Sequence, residues 1–365
     1  MNITSYNLTD VGFHYIALRV LAGLPKTAPR DEQTSEISRN VLKYVSDKAL
    51  RLMLRESKGT FGTVGEKICQ ELVHFQFARS IRGEGYELTD EGKNVLCLLN
   101  ERKYVELRRL MARVHLQTYD NLRAVVQRHL EIGYIWRPIV ETGQLQHASI
   151  DYIQRLLEPT FDGDAPTVAK AVLEKLQNES PKIIETALRD QVLRRILPKT
   201  AIGEPVFRAL GDRLVSLRLL NIVKADVRGC EFVKSYSPCV AASPPHNWYT
   251  LLQVPLPSGK TYTIYLCEPD MADEATQRKF LETLDEAFSA LSSQAGFYDL
   301  PEVRDFVCER LKIPEAAFDE GVNHLLDLQP SPLTVGLHYE GISGRRKPLI
   351  HKWETTQIYN IIRRA

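Results

Sequence analysis

The sequence predicts a mainly α fold with small β-hairpins (α+β), built as three helix–helix–hairpin units with a helical stretch between the first two. Three observations predict it. Apolar residues recur at three- and four-residue spacing over long stretches of the 365-residue chain. Short β-prone runs flank turn residues rich in glycine. The composition, 44% apolar and 25% charged, is that of a chain able to bury a core. No fixed-period repeat is present, which argues against a solenoid.

The first unit spans residues 1–100. Val41, Val45, Leu50, Leu52 and Leu54 mark a helix that the turn residues 57–62 break. Val64, Ile68, Leu72 and Phe75 then define one face of a helix over 63–78, with Glu66, Lys67, Gln70, Glu71 and His74 expected outward. Gly59, Gly62 and Gly65 read as a flexible turn between helices. Runs 79–82 and 86–88 around Gly83-Glu84-Gly85 form a hairpin. Thr89 caps another helix, with Asp90 and Glu91 in its first turn, where the helix dipole favours anions.

Residues 101–165 read as a helical linker, basic through Arg108, Arg109, Arg113, Arg123 and Arg128. It ends in the proline- and Asp-Gly-rich segment 159–166. The second unit, 166–242, has helices over 168–176 and 181–197 and a turn at 198–203. A helix over 205–220 follows, with Leu210, Leu214 and Leu217 on its buried stripe. Strands 222–227 and 231–234 around Arg228-Gly229 close the unit. The third unit, 243–365, opens on strands 249–254 and 261–266. Helices over 274–292, 301–311 and 314–328 and strands over 334–338, 349–353 and 359–363 complete it.

The order helix, helix, hairpin, together with Tyr86-Glu87-Leu88-Thr89-Asp90-Glu91-Gly92 and the exit Leu219-Leu220-Asn221-Ile222-Val223, resembles the winged helix-turn-helix family. The resemblance implies tandem winged-helix domains, in which a second helix enters the DNA major groove and the wing rests on the backbone. Winged helices also dock proteins, so residue charge must choose between these roles.

The net charge of +1 hides an asymmetry. Residues 1–265 carry a balance of +7, 266–330 of −10 and 331–365 of +4. A basic body beside an acidic segment suggests a nucleic-acid surface with the acidic part turned elsewhere. The candidate DNA contacts are Arg79 and Arg82 in the first wing, and Arg208, Arg213 and Arg218 on the 205–220 helix. Lys224 and Arg228 belong to its wing, and Arg345, Arg346 and Lys347 to the last one. The 314–328 helix carries no Lys or Arg; phosphate would repel it, so Asp319, Glu320 and Asp327 become a candidate protein-docking face.

Enzyme motifs are poorly matched. Pro257-Ser258-Gly259-Lys260-Thr261 ends like a phosphate-binding loop, but Val254 stands where that motif needs glycine. Asp226, Glu231 and Lys234 are mis-spaced for a nuclease triad. The nine histidines and six cysteines show no metal-ligand spacing. No apolar run approaches a membrane span of ~20 residues, and no leader is visible. The expectation is a non-enzymatic, cytoplasmic, double-stranded-DNA-binding protein without cofactor or metal. It would act in a prokaryotic DNA-processing, defence or regulatory system, with other subunits or as a homodimer. The alternative is a protein–protein scaffold in a DNA repair, chromosome-maintenance or phage-defence complex.

Overall fold

The structure is a computed structural model. It describes residues 2–3, 10–25, 27–44, 62–82, 84–199, 202–236, 240–243, 247–293, 296–336, 349–350, 357–358 and 360–363. Helices α1 (Gly12–Gly23) and α2 (Arg30–Leu42) lead to α3 (Gly62–His74). The expected run at Val45, Leu50, Leu52 and Leu54 lies outside the described residues, and the helix packed on α3 is α2. α3 buries Val64, Ile68, Cys69 and Leu72 at helical spacing. β1 (Ala78–Ile81) pairs antiparallel with β2 (Gly85–Leu88). Gln33 on α2 grips β2 with both ends of its amide. Its Nε2 donates to the Tyr86 carbonyl at 3.0 Å and its Oε1 accepts from the Tyr86 amide at 2.7 Å. α4 (Asp90–Asn100) starts at Thr89, whose hydroxyl accepts from Gly92 N at 3.1 Å.

The stretch read as a helical linker holds α5 (Tyr104–Thr118), α6 (Asp120–Ile132) and a strand, β3 (Tyr134–Pro138). Short helices α7 (Thr142–Gln146) and α8 (Ile150–Leu157) follow, then α9 (Ala165–Leu176), α10 (Pro181–Ile196) and α11 (Glu204–Ser216). β4 (Asn221–Val227) and β5 (Cys230–Tyr236) form a hairpin whose two turn residues, Arg228 and Gly229, have φ of 55° and 75°. That is the mirror-image turn that matches strand twist. β3 adds to β5, with Tyr134 opposite Tyr236 and Pro138 opposite Phe232, giving a sheet ordered β3–β5–β4. Proline is tolerated there because β3 is an edge strand. The 159–166 segment is a turn between the packed helices α8 and α9, closed over the buried Phe161.

The remainder comprises β6 (Val240–Ala241), β7 (Tyr249–Pro255), β8 (Thr261–Cys267), α12 (Glu274–Ala290), β9 (Tyr298–Asp299), α13 (Leu300–Leu311) and α14 (Glu315–Asp327). β10 (Leu333–Gly336), β11 (Leu349–Ile350), β12 (Gln357–Ile358) and β13 (Asn360–Arg363) end it. The sheets run β6–β8–β7 and β10–β13–β9, and β11 pairs with β12. No described helix is long and apolar enough to cross a membrane.

α3 and α11 end in the same way. The residue past each end is left-handed, Gln76 at φ 62° and Arg218 at φ 58°. Phe77 N bonds Leu72 O at 2.9 Å and Gln76 N bonds Val73 O at 3.0 Å; Leu219 N bonds Leu214 O at 2.8 Å and Arg218 N bonds Val215 O at 2.9 Å. These pairs satisfy the last carbonyls as a Schellman cap does, with a non-glycine at the strained position. Both helices therefore stop short of the ends expected at 78 and 220, and each turns into a hairpin.

Two apolar clusters organise the molecule. The first runs from Ile3 to Leu266 and takes in the first unit, the supposed linker and the second unit together. The second gathers α12, α13 and α14 around Phe280, Leu284, Val303, Val307 and Phe318. The β7–β8 hairpin joins them: Leu252, Val254, Ile264 and Leu266 face the first, Trp248, Tyr249 and Cys267 the second. Asn221 seals the seam. Its Nδ2 donates to Ile313 O at 3.0 Å and its Oδ1 accepts from Glu315 N at 3.2 Å. The residue before α14 is Pro314, which has no side-chain acceptor, so the first cluster supplies the cap for a helix of the second.

Candidate nucleic-acid interface

The candidate cations separate by where the fold puts them. Arg79 lies on β1 directly opposite Glu87 on β2, and its guanidinium donates to that carboxylate at 3.0 and 2.5 Å while staying exposed. Arg82 is exposed at the end of the same hairpin. Arg208 is exposed on α11, 3.5 Å from Glu204. Arg228, at the tip of the β4–β5 hairpin, is exposed and pairs with Glu158. Exposed pairs of this kind contribute about 0–1 kcal/mol, so a phosphate can compete for the arginine. Lys224 falls on β4, where only the backbone is described. Arg345, Arg346 and Lys347 lie outside the described residues.

Arg213 is a correction. It is 0% exposed and cannot reach a phosphate. α11 also buries Glu204, Phe207, Ala209, Leu210, Gly211 and Leu214, leaving Pro205, Arg208 and Asp212 as its exposed residues. A major groove about 12 Å wide reads a helix by a broad exposed face. α11 lacks one, because helices on either side pack over it. Arg218 sits past the helix end, in the left-handed cap, and its guanidinium donates to Glu320 at 2.8 Å.

Of the expected docking face, Glu320 and Asp327 stay exposed and Asp319 is half-buried. Asp319 accepts from the buried Arg304 at 2.9 Å, and Glu320 is the partner of Arg218. Asp327 remains exposed at the end of α14. Two of the three candidate carboxylates of this helix thus neutralise arginines of the same chain.

Glu71, expected outward on α3, is 4% exposed and centres a buried polar cluster. His14 Nε2 donates to its Oε2 at 2.6 Å and the Tyr119 hydroxyl to its Oε1 at 2.8 Å. Arg213 NH2 donates to both oxygens, at 3.3 and 3.1 Å. Arg213 NH1 lies 2.8 Å from His115 Nε2, and His115 Nδ1 lies 2.8 Å from the Met111 carbonyl. A carbonyl only accepts, so Nδ1 carries the proton and Nε2 accepts from Arg213. The cluster ties α1, α3, α5 and α11 together. Burial acts most strongly on Glu71 and raises its pKa, but the His14 hydrogen bond and the Arg213 charge outweigh it and hold the carboxyl well below its usual range. Burial first, and then Arg213, push His115 far below its usual value.

This arrangement sets the sign of the acid response. Below about pH 6.5 the unfolded chain takes up a proton at His115 that the folded chain refuses, so stability falls with pH by up to about 1.4 kcal/mol per unit. Glu71 adds a loss of the same sign below its unfolded value of 4.5. Asp319 opposes both. Burial pushes its carboxyl up to about 6 from 3.8, so the folded state gains from its protonation as pH falls through that window. Urea unfolding of the wild type and His115→Gln at pH 7.5 and 5.5 isolates the histidine. The wild type is expected to lose about 1.4 kcal/mol more than the variant between them. Parallel losses would show that His115 is not the titrating group.

Two arginine groups that residue spacing did not reveal assemble from distant segments. Arg137 on β3 lies in the fields of Arg189 and Arg208 and pairs with Glu204; burial, then Arg208 and Arg189, lower it to about 10. Arg108 on α5 neighbours Arg218. Among the described residues no group of three His, Cys, Asp or Glu side chains could hold a metal ion. No protein-family model, curated protein or solved structure matches the chain.

Proposed function

We propose that the chain is a non-enzymatic protein of tandem winged-helix design that holds duplex DNA mainly through its phosphates. The observation that carries this reading is the first unit. α3 leads through its left-handed cap into the β1–β2 hairpin, and Arg79 and Arg82 stand exposed on that hairpin. In a winged helix, these are the positions of the groove helix and the wing. The outward residues of α3 include Gln70 and His74, which can donate to phosphate or to base edges. Arg208 and Arg228 of the second unit add exposed cations. The weight of DNA contact thus moves from the second unit, whose helix is enclosed, to the first.

Anisotropy of a labelled duplex titrated with the whole protein tests the proposal. Affinity is expected to fall steeply with salt, with a log–log slope near −0.9 per phosphate neutralised. Arg79→Ala/Arg82→Ala is expected to reduce that slope by about two and to weaken all sequences alike. Absence of binding by micromolar protein at about 50 mM salt would overturn the reading.

A further inference from the structure

The seam between the two apolar clusters contains a cleft lined by Arg108, Arg218, Glu268, Pro269, Pro314 and Glu320. Most of its charges are matched. Glu268 accepts from Arg109 at 2.6 and 2.5 Å, and Glu320 accepts from Arg218 at 2.8 Å. Arg108 is different: it is half-buried, and its guanidinium has no hydrogen bond or ion pair among the described residues. Burial first, and then the neighbouring charge of Arg218, disfavour its cationic form, while the charges of Glu320, Glu268 and Tyr15 favour it. The Tyr15 hydroxyl, within the field of both guanidiniums, also makes no hydrogen bond among the described residues.

None of the Arg108 nitrogens is among the buried side-chain atoms without a partner, so the guanidinium stays open to water in the cleft, where an anion can take the place of that water. A group that does so must accept hydrogen bonds, carry negative charge and be compact. We propose that the cleft is a binding site for a compact oxyanion, a phosphate group held bidentate by Arg108 and shared with Arg218. Planar N–H pairs match two oxygens of a phosphate in this way. Arg218 reaches the anion by leaving Glu320, a pair exposed enough to exchange at little cost. Glu320 then turns to solvent. Because that pair joins the end of α11 to α14, occupancy exchanges a contact across the seam for an anion held within it.

The phosphate group could be free or part of a DNA backbone, and one experiment separates these sources. Thermal unfolding of the whole protein is followed against sodium phosphate, with sodium chloride at matched ionic strength as the reference. The expected result is a saturable rise in Tm in the wild type, at least tenfold weaker in apparent affinity in Arg108→Gln and tighter in Glu320→Gln, which lacks the competing carboxylate. Tm in chloride reports whether each variant folds, and Arg108→Lys, with charge but no fork, is expected to fall between wild type and Arg108→Gln. In the DNA arm, weaker duplex binding by Arg108→Gln assigns the site to backbone phosphate; duplex binding equal to wild type assigns it to a free oxyanion. Equal phosphate responses in wild type, Arg108→Gln and Glu320→Gln would overturn the site.

Discussion

Arg213→Met is expected to lower Tm by about 4–6 °C, without any selective loss of DNA binding. The substitution keeps an apolar stem of similar length but removes the NH2 group that donates to both Glu71 oxygens. It also leaves His115 Nε2 without its partner. Breaking one side of a buried ion pair costs about 3–5 kcal/mol, because the remaining charge stays out of water. His14 and Tyr119 still serve Glu71, which favours the lower end of that range. Arg213→Met/Glu71→Gln removes both charges and is expected to recover a substantial part of the loss, so a double-mutant cycle reads their coupling. A single variant that melts like wild type but no longer binds DNA would place Arg213 at the ligand and contradict its burial.

Gly65→Ala is expected to cost about 3 kcal/mol despite being a glycine-to-alanine change inside a helix. In an exposed helix the same change gains about 1 kcal/mol. Here a Cβ would lie 2.0 Å from the Thr34 carbonyl oxygen, with the Thr34 carbonyl carbon and Cα at 2.8 and 2.9 Å. These are backbone atoms of α2, so no side chain can rotate away. The helices would have to part, straining the bond from Gly65 N to Ser38 Oγ at 2.8 Å and that from Ser38 Oγ to Thr34 O at 2.9 Å. Urea unfolding provides the check. A variant as stable as wild type would mean that α2 and α3 do not cross so closely.

Both predictions concern residues whose roles could not be read from local spacing. Gly65 looks like a turn residue beside Gly59 and Gly62, and only the crossing of α2 reveals a contact that excludes a side chain. Glu71 and Arg213 are charged, and charge is normally a sign of exposure. Their partnership spans 142 positions and cannot be inferred from either helix alone. Local features were legible. The helices expected over 168–176 and 181–197, which are Ala165–Leu176 and Pro181–Ile196 in the fold, the Thr89 cap and the Arg228-Gly229 turn follow from periodicity and turn chemistry. So does the exposure of Arg79 and Arg82, because a short hairpin determines it within ten residues. Helix ends were less legible, since Gln76 and Arg218 occupy left-handed caps where a glycine would have announced the stop. Arg218 and Glu320 were assigned to separate ligands on charge alone; the seam between the clusters brings them together.

The pairing of β3 with β5 has a consequence for how the chain is made. Between Pro138 and its partner Phe232 lie five helices and a strand, so this sheet cannot close until nearly a hundred further residues have been synthesised. At ordinary elongation rates of about 5–20 residues per second, β3 waits roughly 5–20 s for its neighbour. During that interval Ile135, buried in the finished protein, has no sheet to enter. The first unit and α5–α6 can pack in the meantime, but the second hairpin completes the shared core. Nascent chains that stop between 138 and 232 therefore carry an unpaired strand edge, the form in which a growing chain is most open to pairing with the wrong neighbour.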